Sequence, residues 1–328
     1  MDSSSGITAA ICSRDRPELL RRALASLERL DPLPDELLVI DNAPSDARSF
    51  ALVTKEFPKV RYVREDIPGL DFARNRALAE SRYSVVAFLD DDAVADTGWC
   101  AGFAAAFQDQ PKLGACTGRI EALEVRTESQ RLFEANGGFS RGTDPIRLPK
   151  DMDRPLYSHK APAIAWAVSI GCGASFAVRK EAVTAIGGFD IALDLGAVLP
   201  GGGDLDILWR LLDAGYELLY QPEALAWHEH RRDMASIEQQ LVGHQRALLA
   251  FLAKSLVRAR PGRRGEIAAF LLWRLIKPAA RLVRRVYGRD PLPARLLARM
   301  CWNCWVGVTR YGPAQREAAR RIAKAGAA

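Results

Sequence analysis

The 328 residues, 48% of them hydrophobic, are enough to bury a substantial core as one large domain or two. The net charge of +6 hides a division: residues 231–328 hold 21 Lys/Arg against 5 Asp/Glu, a surplus of +16, whereas residues 1–230 hold 25 against 35, a net of −10. Six scattered cysteines and a small, polar start that leads directly into an apolar run argue against a disulfide framework and a secretory signal, and for free thiols in a reducing, cytoplasmic setting.

Ile7 to Cys12 reads as a first strand, and Pro17 opens a helix from Glu18 to Leu30 with Leu20, Leu24 and Leu27 on one face. Glu36 to Ile40 is a second strand, ending at Asp41-Asn42. Residues 46–57 are helical, 60–63 form a short third strand, Pro68-Gly69 is a turn, and Leu70 to Ser81 is helical. A fourth strand from Ser84 runs into Asp90-Asp91-Asp92. Such alternation predicts a doubly wound, mostly parallel or mixed α/β sheet, in which ligands bind beyond the carboxyl ends of the strands.

Gly98 to Gln110 reads as a helix, and residues 118–160 as polar loops with short strands. Ala161 to Val178 carries no charge over 18 residues, but its glycines, proline and serines favour a buried strand over a membrane span. Gly187 to Asp190 is a turn. Gly201-Gly202-Gly203 precedes an amphipathic helix from Asp204 to Ala214, and 217–220 and 224–228 read as closing strands. From Ser236 the chain is helical and basic. Its apolar stretch from Ile267 to Ile276 is too short and too charged to span a bilayer, and suits a helix in the headgroup plane with Trp273 at the interface. The expected division is residues 1–232 as the ligand-binding and catalytic domain and 233–328 as a basic helical tail, with a membrane surface or an oligomer contact as its partner.

Three adjacent acids at the end of a buried strand are costly unless a cation meets them. A divalent ion that also carries a substrate's phosphates is the usual partner, and a solvated acidic turn is the plain alternative. Asp204 with Asp206, and His228 with His230, supply further oxygen and imidazole groups. Taken singly, Asp204 is a helix N-cap and His228 a surface histidine. Taken together, the set offers metal ligands plus a spare carboxylate for proton transfer. Cys301 and Cys304 have no second ligand pair nearby for zinc and read as buried thiols. Ser13-Arg14-Asp15-Arg16 after the first strand is unlike the glycine-rich turn of a dinucleotide-dependent dehydrogenase. Trp273, Trp302 and Trp305 sit in apolar helical runs rather than as base-stacking platforms, which speaks against nucleic-acid binding.

The motifs Ala-Ile-Cys-Ser-Arg-Asp-Arg-Pro, Leu-Val-Ile-Asp-Asn, Pro-Gly-Leu-Asp-Phe-Ala-Arg-Asn-Arg-Ala-Leu, Phe-Leu-Asp-Asp-Asp, Gly-Gly-Phe-Asp, Gly-Gly-Gly-Asp-Leu-Asp and His-Glu-His-Arg-Arg occur in this order between Ile7 and Arg232. In order and spacing they resemble the family 2 glycosyltransferases. The resemblance implies a GT-A fold and a metal-dependent, inverting transfer of a hexosyl group from a nucleotide-diphosphate sugar to an acceptor hydroxyl, on a glycan or a lipid-linked molecule, in cell-surface glycan synthesis. It implies Mn²⁺ or Mg²⁺ as cofactor. It places Asp41 near the nucleotide base, Arg74 near the base and diphosphate, Asp90 at the ribose with Asp91 beside it, Asp92 and His228 on the metal, and Asp204 as general base. The position before that base is usually Glu in the family and is Gly203 here, which leaves Asp206 to share the task. The expected location is peripheral, on the inner face of the cell membrane. The rival reading, motivated by Gly203, is a protein that binds a nucleotide sugar without turning it over.

Overall fold

The computed structural model describes residues 6–156 and 160–326. Four strands, β1 (Ile7–Ser13), β2 (Glu36–Asn42), β3 (Arg61–Glu65) and β4 (Val85–Leu89), alternate with helices α1 (Pro17–Leu27), α2 (Arg48–Glu56) and α3 (Leu70–Glu80). Then come β5 (Ala93–Ala95), α4 (Trp99–Phe107), β6 (Leu113–Ala122), α5 (Glu128–Ala135), β7 (Ile146–Leu148), a 3-10 turn at Lys150–Asp153, α6 (Ala163–Ser169), β8 (Ser175–Arg179), α7 (Lys180–Ala185), α8 (Gly203–Asp213) and β9 (Glu217–His228). Three long helices end the chain: α9 (Met234–Arg258), α10 (Pro261–Val286) and α11 (Ala294–Ala325).

One mixed sheet runs β3-β2-β1-β4-β8-β6-β9-β5, with β7 beside the start of β9 on the edge whose far end pairs with β5. Its core strands are apolar on both faces, because helices cover both. Parallel pairing sets Ser13 opposite Asp41 and Ala10 opposite Phe88, so the carboxyl ends of β1, β2 and β4 share one edge. The chain winds outward through β2 and β3, then crosses to β4 on the far side of β1. The crevice at that reversal, between the ends of β1 and β4, is where open α/β sheets bind ligands. Antiparallel pairing of Ala93 with His228 brings the end of β9 to the same place, directly beside Asp92.

Three segments differ from expectation. Leu113–Ala122, in part read as loop, is a ten-residue strand in the middle of the sheet. Its Gly118 looks like a loop residue, but it lies at a bulge where a Cβ would overlap the Ala224 carbonyl oxygen; the glycine is there for close approach. The uncharged stretch 161–178 is not one strand but α6 followed by β8. Gly171, whose Cβ would overlap Thr117, ends the helical part. Both pieces lie in the main core, which accounts for the absence of charge. The two closing strands are one strand, β9, with Pro222 in its bulge.

The charge boundary near residue 232 is not a break in packing. Leu248, Leu249, Phe251 and Leu252 of α9, Ile267 and Phe270 of α10 and Cys304 of α11 belong to the same apolar core as Ala10, Val86 and Trp209. The outer faces of α10 and α11 remain apolar and exposed: Leu272, Trp273, Ile276 and Val283 on the first, Trp302 (70%) and Trp305 (65%) on the second. Among the described residues no helix is long and apolar enough to cross a membrane.

Candidate active site

A cavity of about 2400 Å³ opens at the crevice between β1 and β4 and continues to the terminal helices. Its floor is the Asp90-Asp91-Asp92 turn. Asp91 is fixed: Ser13 Oγ donates to Oδ2 at 2.7 Å and Arg16 Nη1 to Oδ1 at 3.1 Å. Asp90 hangs from β8 through its amide, which donates to the Ala174 carbonyl at 3.0 Å. Burial and the adjacent Asp92 charge push the Asp90 carboxyl up to about 7, against the pull of Arg74. Burial alone would raise Asp92 as well, but His228, Arg231 and Arg16 outweigh it and hold Asp92 at about 2.

Asp92 Oδ1 lies 3.2 Å from His228 Nε2. The other nitrogen of His228, Nδ1, lies 3.2 Å from His230 Nδ1, and His230 Nε2 lies 2.7 Å from Glu134 Oε1. The network assigns the protons. An ionised Glu134 needs a proton on His230 Nε2; His230 Nδ1 is then bare and accepts from His228 Nδ1. This leaves the His228 Nε2 lone pair facing a carboxylate oxygen, and only a proton or a cation between them relieves the repulsion. Two ligands about 2.1–2.2 Å from one ion sit about 3 Å apart when adjacent, so the spacing fits a divalent cation. Among the described residues no group of three His, Cys, Asp or Glu forms a complete cage. A two-ligand site of this kind leaves positions for water and for phosphate oxygens.

On the opposite wall, Gly202 in a left-handed conformation (φ 104°) starts α8. Asp204 follows in the first turn, and its Oδ2 accepts from the Gly173 amide at 2.8 Å. Beside it Arg74 is buried against the rings of Phe176 and Phe189, with its guanidinium carbon 5.5 and 5.6 Å from their centres. Arg74 Nη1 reaches Asp71 Oδ1 at 3.1 Å and Asp194 Oδ2 at 3.6 Å. Burial and the Asp194 charge raise Asp71 well above the usual carboxylate range.

Two expected site residues lie elsewhere. Asp206 does not face the cavity. Its Oδ1 takes Lys254 Nζ at 2.5 Å and its Oδ2 takes Arg210 Nε at 2.7 Å, and it is 1% exposed. Both oxygens are committed to a buried ion network that joins α8 to α9, so this carboxylate is removed from the set of candidate bases. Asp41 is wholly buried beneath Tyr62, whose hydroxyl donates to Oδ2 at 2.7 Å, while Oδ1 has no hydrogen-bond partner among the described residues. Burial raises its pKa. The neighbouring Asn42 lines the cavity instead, bridging the Gly69 amide and the Ile67 carbonyl at 2.8 Å each.

Residues 8–187 match the sequence model of glycosyl transferase family 2. The chain belongs to that family. The chain is 28% identical over 236 residues to the pre-mycofactocin glycosyltransferase of Mycobacterium tuberculosis, covering 71% of this chain and 44% of that protein. It is 24% identical over 230 residues to the poly-β-1,6-N-acetyl-D-glucosamine synthase of Staphylococcus aureus, covering 69% and 50%. The chain thus spans half or less of the length of these relatives. Its fold matches the mannosyltransferase PcManGT of Pyrobaculum calidifontis, solved with GDP-Man and Mn²⁺, with a TM-score of 0.56, 17% identity, and coverage of 98% of this chain and 86% of that one. The fold is GT-A.

Gly203 stands where the resemblance leads one to expect Glu, and the packing gives the reason. A Cβ at this position would overlap the carboxylate of Asp71, which packs directly on the glycine. The space beside Asp204 is therefore filled by an acid from α3. Gly203→Ala should cost about 1–3 kcal/mol as an overpacked core site. The cost should largely vanish in an Asp71→Ala background, as read by urea-denaturation midpoints in a double-mutant cycle. Equal costs in both backgrounds would show that the contact is not the constraint.

Proposed function

We propose that this chain transfers a hexosyl group from a nucleotide-diphosphate sugar to an acceptor hydroxyl in one displacement, with inversion at the anomeric carbon. The observation that carries the reading is that the Asp92–His228 pair and Asp204 face one cavity at the sheet's reversal point. Asp92 and His228 would hold a divalent cation, Mn²⁺ or Mg²⁺, and Glu134 and His230 would fix the ligating tautomer. When bound, the cation offsets charge that develops on the departing diphosphate. Asp90, Arg74 and Asn42 line the donor side of the cavity. Asp91 holds the β1 loop against the acidic turn. Asp204 takes the proton of the attacking hydroxyl. Its Oδ2 is oriented by the Gly173 amide, and its Oδ1 makes no protein hydrogen bond among the described residues. No motif supplies a covalent nucleophile, which supports inversion. Asp71 filling the space beside Gly203 removes the motive for a non-catalytic binding protein.

Asp204→Asn should lower turnover by roughly 10²–10⁴-fold, the usual worth of a general base, while donor binding persists. Sugar-nucleotide turnover with Mn²⁺ measures this, and unchanged turnover would remove Asp204 from the role.

Asp92→Asn should abolish Mn²⁺ binding as seen by electron paramagnetic resonance, and Glu134→Gln should weaken it about 10–100-fold, the usual effect of a lost outer-sphere partner. Full turnover in excess EDTA would overturn metal dependence.

We also infer a peripheral location on the inner face of the cell membrane. The exposed Trp and Leu residues of α10 and α11, amid a surplus of +16, support it. Cutting the chain near residue 235 would remove α9 from the shared core, so point substitutions are the sounder test. Trp302→Ser with Trp305→Ser should reduce co-sedimentation with anionic vesicles at unchanged thermal stability. Equal partitioning of wild type and variant would point instead to contacts between copies of the chain.

A further inference from the structure

The cavity is larger than a sugar nucleotide needs, since ligand sites usually occupy about 300–1,000 Å³. Its far end is built by α10, which presents Arg274, Lys277 and Arg281 to the interior at spacings of three and four, one face of the helix. Arg246 of α9 also lines the cavity, whereas Arg231 belongs to the acidic turn, 3.7 Å from Asp92. The nearby carboxylate, Asp290, is buried against Arg281 at 2.7 Å and Arg284 at 3.2 Å, so the balance there is positive. Arg281 Nη1 donates to Asn136 Oδ1 at 2.7 Å, which sets this basic end close after Glu134, the outermost member of the histidine chain. Phe139 lines the cavity beside the histidine chain, with its ring 5.1 Å from that of His228 and 6.5 Å from that of His244.

The basic end also reaches the surface. Lys277 Nζ lies 4.9 Å and the Arg274 guanidinium carbon 5.6 Å from the Trp273 ring centre. Trp273 is 41% exposed, and Leu272 and Ile276 flank it on the outer stripe of α10. Cations inside and an apolar stripe outside, joined by an indole, match a ligand with a phosphate head and a hydrocarbon chain.

We propose that this end of the cavity is an acceptor subsite that grips the phosphate of a lipid-borne acceptor, with Arg274 and Lys277 on the phosphate, Arg281 held behind them by Asp290 and Asn136, and the chain along Leu272, Trp273 and Ile276. The proposal deepens the glycosyltransferase reading and rests on it for the word acceptor. The acceptor's hydroxyl then points toward Asp204 while its anchor leaves through the α10 face. Burial and the charges of Arg274, Arg281 and Arg284 push Lys277 down to about 8, and an anion at this place relieves that repulsion.

Dodecyl phosphate, below its micelle concentration, is titrated calorimetrically into the full chain, with dodecanol and inorganic phosphate as the two half-ligands. Dodecyl phosphate should bind at least tenfold more tightly than either. Lys277→Gln and Arg274→Gln should each weaken it about tenfold, the loss of one charge-assisted contact, whereas Lys277→Arg should keep the affinity. Unchanged thermal melting of the variants separates this loss from unfolding. Equal binding of dodecanol would overturn the phosphate grip, and equal binding of inorganic phosphate would overturn the lipid. Loss of affinity in Lys277→Arg as great as in Lys277→Gln would also overturn the proposal. Sugar-nucleotide turnover is scored separately: its absence alongside tight dodecyl phosphate binding sinks the transferase reading and leaves the subsite standing.

Discussion

A buried guanidinium holds the centre of this protein together. Arg74 sits between two phenylalanine rings and feels four carboxylates, those of Asp71, Asp194, Asp90 and Asp204. They come from α3, the loop before α8, the end of β4 and the first turn of α8. Left to themselves, buried acids this close would neutralise by taking up protons. Arg74 offsets part of that repulsion and brings four separate elements to one point. Its own charge is secure, because every neighbour that shifts it favours the cation. The Asp90 wall and the Asp204 wall of the cavity therefore share one electrostatic anchor.

The parts of the fold set by short-range pattern were legible. Apolar runs of strand length gave β1, β2 and β4, and the abrupt Asp90–Asp92 ending marked the floor of the site. Segments whose composition answers to distant neighbours were not legible. Gly118 and Gly171 look like loop residues until the Ala224 carbonyl and Thr117 occupy the space a Cβ would need. Asp204 and Asp206 are indistinguishable as acids in a first helical turn. Lys254, 48 residues away, decides that one is buried and the other faces the cavity. Asp41 ends its strand as expected, yet Tyr62 on the adjacent strand covers it. His230 was visible as the partner of His228, but Glu134 lies in a stretch that reads as polar loops and folds as α5, and nothing local marks it. The Gly203 departure was visible, and its cause, Asp71, stood unnoticed in a motif already singled out.

Charge tells a similar story. The tail's surplus suggested a separate basic module, but part of it is spent inside the fold. Lys254 answers Asp206 and Asp190, Arg232 answers Glu124 and Glu229, and Arg263 answers Asp213. Arg321 reaches back to the Pro68 and Leu195 carbonyls near the donor side. The terminal helices thus act as a wall of the site as well as its outer surface.

The Lys254 contact has a consequence for how such enzymes diversify. Terminal helices that line one end of the cavity would be the natural segment to exchange between relatives when a different ligand is wanted there. Here the exchange would also withdraw one of the two cations that meet the buried Asp206 and leave Arg210 alone to answer it, a loss felt against the small net stability of a domain. A replacement tail keeps that pair only if it brings a cation to the same spot, whereas substitutions along the cavity face of α10 leave it untouched.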